Sequence, residues 1–227
     1  MRAQAAINQA KGTLPGNLPI LLALGVTYLT LDQPAKAVEP FAQVYKTELP
    51  DGQKLAETFY LDYAFACDAI GQTNRAEEVA GRGLDLYPES SDTLNFLAYS
   101  WAQQGVNLDK ARDYAARAVQ SKPGDAAYLD TLGWVCFKQK NYDQALEEVS
   151  KANGLMKDDP TITGHLGDVL DALGRRDEAL EQWKKSFILD PDQAPVAARL
   201  QSLGVDLAPL RKEAEKNAAE REKSQKK

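Results

Sequence analysis

An alanine recurs along this chain at a nearly constant interval. It stands at Ala3, Ala37, Ala76, Ala111, Ala145 and Ala179, and the successive spacings are 34, 39, 35, 34 and 34 residues. A period of this length is typical of proteins built from stacked copies of one supersecondary unit. Because one such unit cannot bury its apolar face alone, neighbouring copies stack on each other. The spacing therefore predicts a chain of repeats rather than one central core.

Other positions keep step with this alanine. From Ala37 onward, about thirteen residues earlier in each period, there is a large residue followed by a small one: Leu24-Gly25, Tyr63-Ala64, Leu97-Ala98, Leu132-Gly133 and Leu166-Gly167. Four residues after the alanine stand Ile7, Phe41, Ala80, Ala115, Val149 and Trp183. The pattern resembles the tetratricopeptide repeat, W-x₂-L-G-x₂-Y…A-x₃-F…P, over residues 1–193.

This resemblance implies an all-α fold, a right-handed solenoid of stacked helix-turn-helix repeats. Five repeats are expected at 18–51, 57–90, 91–124, 126–159 and 160–193, with five extra residues near 48–54. Residues 1–15 are expected to be the second helix of a truncated preceding repeat, which makes the chain a fragment of a longer protein. Residues 194–210 are predicted to form a capping helix, and 211–227 a charged tail that is helical or disordered.

Charge and hydropathy exclude several classes of partner. The 227 residues include 27 Lys and Arg against 33 Asp and Glu, a net charge of −6, which disfavours binding to a phosphate backbone. The longest apolar run, residues 18–31, is too short to span a bilayer, and its residues fit the repeat better than a signal peptide. We therefore expect no nucleic-acid partner and no direct membrane insertion.

The reactive side chains favour structural roles. Cys67 and Cys136 occupy the same position two repeats apart, on the order of 20 Å, so they are expected to be unpaired core thiols. His165, the one histidine in the sequence, is expected to face the groove and to pair with Asp168 on the same helix. Glycine-rich phosphate loops and metal-ligand spacings are missing from the sequence. We therefore predict no catalytic residues, metal or cofactor, and a protein that is not an enzyme.

In tetratricopeptide proteins the first helix of each repeat lines a concave groove. Carried over, this implies an aromatic centre flanked by polar and acidic side chains: Phe65, Asp68, Asn95, Tyr99, Asp130, Trp134, Phe137, Asp168 and Asp171. Such a groove would bind a peptide or helix that is apolar with some positive charge. The alternative is that the aromatics only complete the core. The positions that grip a heat-shock chaperone carboxylate in this family lack the required Lys and Asn, so that activity is not expected.

The resemblance therefore implies an adaptor or scaffold for a protein partner. Residues 127–135 and 165–175 also resemble the last repeats of large bacterial envelope lipoproteins, which favours the periplasm or cell envelope over the cytoplasm without fixing the compartment. Two alternatives stay open. The chain can be a self-associating scaffold that uses its N-terminal edge or convex face, or the targeting arm of an enzyme whose catalytic part lies elsewhere.

Overall fold

The computed structural model describes residues 17–225, with side chains described up to residue 221. The predicted half-repeat at residues 1–15 lies outside this range. Within it the chain is entirely helical, and the helices follow one another through short loops. They are α1 (Leu18–Thr30), α2 (Pro34–Lys46), α3 (Glu57–Asp68), α4 (Thr73–Leu86), α5 (Ser91–Gln104), α6 (Leu108–Ser121), α7 (Ala126–Lys138), α8 (Tyr142–Leu155), α9 (Pro160–Ala172), α10 (Arg176–Leu189), α11 (Ala194–Ser202) and α12 (Leu207–Gln225).

The chain divides into two compact units, residues 1–100 and 101–227, here called the N-terminal and the C-terminal unit. In the N-terminal unit α1 packs on α2, α2 on α3, and α3 on α4. In the C-terminal unit α6 through α10 pack in the same consecutive order, and α11 and α12 both pack on α10. Antiparallel pairs of helices joined by short turns are therefore the building block of each unit.

The small residue of the large-small pair allows the two helices of a repeat to approach. A Cβ atom added at Gly25 would lie 2.5 Å from the ring of Phe41, and one at Gly167 would lie 2.5 Å from the ring of Trp183. At Gly133 the same addition would lie 2.5 Å from Val149. These partners are the large residues that the repeat pattern places four positions after its alanine. The pattern therefore encodes one interlocking contact inside a repeat.

The recurring alanine belongs to the core. Ala37, Ala76, Ala111, Ala145 and Ala179 are all fully buried. Where the following large residue is absent, at Ala115, the neighbouring Tyr114 packs its ring 5.4 Å from that of Trp101. The aromatic ring one position away thus supplies volume that the repeat pattern lacks there.

The turns inside the repeats need a left-handed residue. Gly174 takes a φ of 77° between α9 and α10. Lys140 occupies the corresponding turn between α7 and α8 with a φ of 63°. This left-handed conformation is energetically unfavourable for a residue that has a side chain. The fourth repeat therefore keeps the turn geometry without the glycine that favours it.

The C-terminal segment differs from the predicted single capping helix over 194–210. The chain turns at Gly204, with a φ of 77°, and forms two helices, α11 and α12. Helix α11 is held by its buried side chains Val196 and Leu200. Helix α12 contacts α10 through Arg211, whose guanidinium lies 5.2 Å from the ring centroid of Phe187. The charged tail is helical through Gln225. Across residues 17–225, no helix is both long enough and apolar enough to cross a membrane.

Candidate functional site

Three aromatic rings form a stack in the C-terminal unit. Trp134 and Phe137 are one turn apart on α7, and their rings are nearly parallel with centroids 4.8 Å apart. His165 of α9 also stacks on Trp134, with centroids 3.9 Å apart and an interplanar angle of 13°. Trp134 is 5% exposed, so it is a buried ring and not the exposed anchor that the sequence predicts. The imidazole of the next repeat covers it together with Phe137 and the ammonium group of Lys138, which lies 4.7 Å from the ring centroid.

His165 is held by a carboxylate from the preceding repeat. Its Nδ1 atom lies 2.9 Å and 3.0 Å from the two carboxylate oxygens of Asp130. A carboxylate only accepts hydrogen bonds, so Nδ1 carries the hydrogen in this contact. The predicted pairing of His165 with Asp168 is therefore wrong for this nitrogen. Asp130 is buried by the same contact, and it does not act as an exposed acidic flank.

Asp168 is the second buried carboxylate of this unit. It accepts hydrogen bonds from the indole Nε1 of Trp183 at 2.9 Å and from Nη2 of Arg199 at 2.7 Å. Burial raises the pKa of its carboxyl above the ordinary value, and the positive charge of Arg199 and the bond from Trp183 oppose that rise. Asp168 thus ties α9 to both α10 and α11, rather than presenting a free negative charge.

A cavity of about 270 Å³ opens beside this carboxylate. Its lining combines aromatic and aliphatic walls with three charged side chains: Phe137, Asp168, Asp171, Ala172, Trp183, Arg199, Ser202 and Leu203. Asp171 is exposed and shows no ion pair among the described residues, whereas Asp168 is already bound to Arg199. The carboxylate available to a visiting side chain is therefore Asp171. An apolar side chain that ends in a positive charge matches this lining.

Three of the predicted groove residues thus meet at one cavity: Phe137, Asp168 and Asp171. Sequence reasoning missed Arg199, Trp183 and Leu203 as parts of it. The repeat pattern identifies Trp183 only as a packing residue, and the prediction of a capping helix over 194–210 assigns no role to Arg199 or Leu203. Nothing in the sequence pairs Arg199 with Asp168, because the two are 31 residues apart and Arg199 lies on α11, outside the repeats.

The N-terminal unit holds the other predicted groove residues. Phe65 on α3 is 48% exposed, and its ring meets that of Phe96 on α5 edge to face with centroids 5.1 Å apart. Asp68 is exposed and accepts a hydrogen bond from the Thr73 hydroxyl at 3.2 Å. Asn95 and Tyr99 are half-buried on α5. In this unit the ring of Phe65 is accessible.

The thiols have no reactive setting. Cys67 and Cys136 are buried and free, in agreement with the prediction, and burial raises the pKa of both. A raised pKa keeps the less nucleophilic thiol form. Over the described range, no group of three His, Cys, Asp or Glu side chains could hold a metal ion.

Comparison with known proteins gives one consistent family. A family model described as "Tetratricopeptide repeat" matches residues 68–126 and 107–160. A TPR repeat-containing protein of Pseudomonas aeruginosa is 30% identical over 81 residues, which are 36% of this chain and 14% of that protein. The chain thus matches about one seventh of that relative's length.

Two solved structures have a similar fold. MamA from residue 41 to its end, from Desulfovibrio magneticus RS-1, superposes with a TM-score of 0.63 at 18% identity, covering 80% of this chain and 99% of that one. A thermophilic TPR protein of Thermus thermophilus gives a TM-score of 0.63 at 22% identity, covering 82% of this chain and 97% of that one. At these identities the likeness concerns the fold.

Proposed function

We propose that this chain, which is similar to tetratricopeptide-repeat proteins, is a scaffold that binds a partner protein through the cavity of its C-terminal unit. The partner segment is a peptide or helix with an apolar side chain next to a basic group. Phe65, Asp68, Asn95 and Tyr99 are proposed as a further contact surface on the N-terminal unit. Tetratricopeptide repeats are generally interaction modules, and the chain needs no catalytic role to account for the cavity.

The observation that carries this proposal is the unpaired Asp171 carboxylate beside the aromatic and aliphatic walls of the cavity, whose other two charged side chains, Asp168 and Arg199, pair with each other. Asp171 is the next-to-last residue of α9, where the negative end of the helix dipole disfavours an acidic side chain. It also adds to the rise in the pKa of Asp168, since the two negative charges repel. The Asp171 carboxylate destabilises its own helix, and a cation of a partner protein that binds to it would offset this cost.

The proposal is tested by site-specific cross-linking. A photoreactive amino acid replaces Ala172, which lines the cavity and is exposed, in the full chain. After irradiation in lysate of the source organism, mass spectrometry identifies the peptide attached to this position. We expect a single predominant peptide in which Lys or Arg adjoins an apolar residue.

The matched variants are Asp171→Lys and Asp143→Lys, which make the same charge change inside and outside the cavity. Asp143 is exposed on α8 and does not line the cavity. We expect the cross-linked peptide to be lost with Asp171→Lys and kept with Asp143→Lys. Equal yields from the two variants, or attached peptides without a basic residue, would contradict the proposal.

A second candidate, self-association, is favoured by the outer face of α1. Ile20 is 71% exposed, and Leu24 on the same side of α1 and Leu31 directly after the helix are also exposed. Adjacent exposed apolar side chains of this size often mark an interface. If two copies associate there, Ile20→Lys combined with Leu24→Lys shifts the mass from dimer to monomer in light scattering. A wild-type chain whose mass is that of a monomer at all concentrations would refute this candidate.

A further inference from the structure

The loop between α2 and α3 is the longest connection between repeats in the described chain. It comprises ten residues, 47–56, whereas the three later loops between repeats, 87–90, 122–125 and 156–159, have four each, as does the loop 190–193 before α11. It holds the extra residues that lengthen the second spacing of the recurring alanine. Loops of this length in a compact repeat commonly carry a function that the scaffold itself does not need.

This loop is fixed at its C-terminal end. Leu55 is buried, and its carbonyl oxygen accepts a hydrogen bond from the hydroxyl of Tyr87 at 2.7 Å. The ammonium group of Lys54 lies 4.3 Å from the centroid of the same tyrosine ring. The side chain of Lys54 is therefore held at a defined position rather than extended freely into solvent.

A cavity of about 520 Å³ lies between this loop and the neighbouring helices, and we call it the loop cleft. Three basic side chains line it, Lys46, Lys54 and Arg82, together with one acidic side chain, Glu48. Within residues 17–221, none of the three cations forms a salt bridge with a carboxylate. The loop cleft is thus locally positive in a chain whose net charge is −6.

The remaining walls of the loop cleft are largely apolar. Tyr45 and Tyr60 line it, together with leucines of the loop and of α4. The guanidinium of Arg82 lies 5.0 Å from the centroid of the Tyr45 ring, which leaves its N–H groups at the edge of an aromatic surface. Charge and apolar area therefore occur side by side, as in sites that bind a peptide with both kinds of side chain.

We propose that the loop cleft binds an acidic, partly apolar segment of a partner protein. Carboxylates of the segment pair with Lys54 and Arg82, while its apolar side chains cover the tyrosine and leucine walls. The C-terminal residues of helices α2 and α4, Lys46 and Leu86, both line the loop cleft. Helix C-termini present carbonyl groups, which disfavour every anion, so the attraction for the carboxylates of the segment comes from the side chains of Lys54 and Arg82.

The test uses the full chain and a fluorescein-labelled peptide, acetyl-Glu-Leu-Glu-Glu-Tyr-Leu-Glu, in fluorescence anisotropy at low salt. We expect Lys54→Glu and Arg82→Glu each to weaken binding about tenfold, and added salt to weaken wild-type binding as well. The matched control is Lys36→Glu, an exposed lysine of the same unit outside the loop cleft, which should change the affinity less than about twofold. Circular dichroism checks that each variant is folded, and Lys54→Gln and Arg82→Gln replace any that is not.

Several results would overturn this proposal. One is the absence of wild-type binding at peptide concentrations of about 1 mM, which corresponds to a negligible interaction. Another is an equal loss with Lys36→Glu, which would mean that only net charge matters. Displacement of the peptide by an equal concentration of pyrophosphate would identify a phosphate site instead. Asp171→Lys, in the C-terminal unit, should bind the peptide as wild type does, so this test is separate from that of the proposed function.

Discussion

The contact between Asp168 and Arg199 gives the most demanding prediction. Asp168 is 8% exposed, whereas the side chain of Arg199 is 38% exposed, so Arg199→Ala would leave a buried carboxylate without its cation. Breaking a buried ion pair costs about 3–5 kcal/mol in general, and solvent near Arg199 screens part of that interaction. We therefore expect a loss of about 2 kcal/mol in the free energy of unfolding at pH 7.

The sign of the pH dependence follows from the pKa of Asp168. Burial raises this pKa in the folded chain, so the folded state binds the proton more tightly than the unfolded state does. Stability then falls as the pH rises from the unfolded pKa, about 4, through the folded pKa. Arg199→Ala removes an opposing charge and raises the folded pKa further. Its cost should be complete above the folded pKa and should shrink as the pH falls towards about 4.

The assay is urea unfolding followed by tryptophan fluorescence at several pH values between about 4 and 7. Asp168→Asn serves as the control, because it removes the charge while its amide oxygen can still accept from Trp183. In the Asp168→Asn background, Arg199→Ala should cost less than about 1 kcal/mol at every pH. A cost of Arg199→Ala that does not change with pH, or that is unchanged in this background, would refute the electrostatic argument.

Three further predictions concern packing, backbone and thiols. Gly167→Ala should destabilise the chain by about 2–3 kcal/mol in urea unfolding, because the new Cβ would lie 2.5 Å from the Trp183 ring; Gly154→Ala, where nothing lies within 4 Å, should be neutral or stabilising. Lys140→Gly should raise stability by about 1 kcal/mol, since φ is 63° there, and an unchanged melting temperature would contradict this. Cys67 and Cys136 should react with a thiol reagent only after unfolding, because both are buried with raised pKa values; rapid labelling of the native chain would show that they are accessible.

The lining of the cavity in the C-terminal unit is predicted from the sequence only in part. The repeat pattern predicts which helix carries Phe137 and Asp171, and the structure brings both to the lining of one cavity. The same pattern predicts exposure for Trp134, Asp130 and Asp168, and the structure buries all three. The error has one cause. A pattern assigns each residue to a side of its helix, but the neighbouring repeat decides whether that side is covered.

What the sequence determines by itself is the contact inside each repeat. Gly25 with Phe41 and Gly167 with Trp183 are each 16 residues apart in one helical pair, so a fixed spacing and complementary volumes are enough to specify them. The fully buried alanines follow from the same local geometry. These features depend on the separation of two residues along the chain and on the sizes of their side chains, and both can be read from the repeated sequence pattern.

Only the tertiary structure decides the polar contacts. His165 meets Asp130 from the preceding repeat, and Arg199 reaches Asp168 from a helix outside the repeats. Each of these choices depends on the reach and direction of side chains from separately placed helices, and several carboxylates in the sequence could have been the partner. The chemistry of the cavity, with Asp171 as its available carboxylate, results from these choices because pairing neutralises the other acidic side chains.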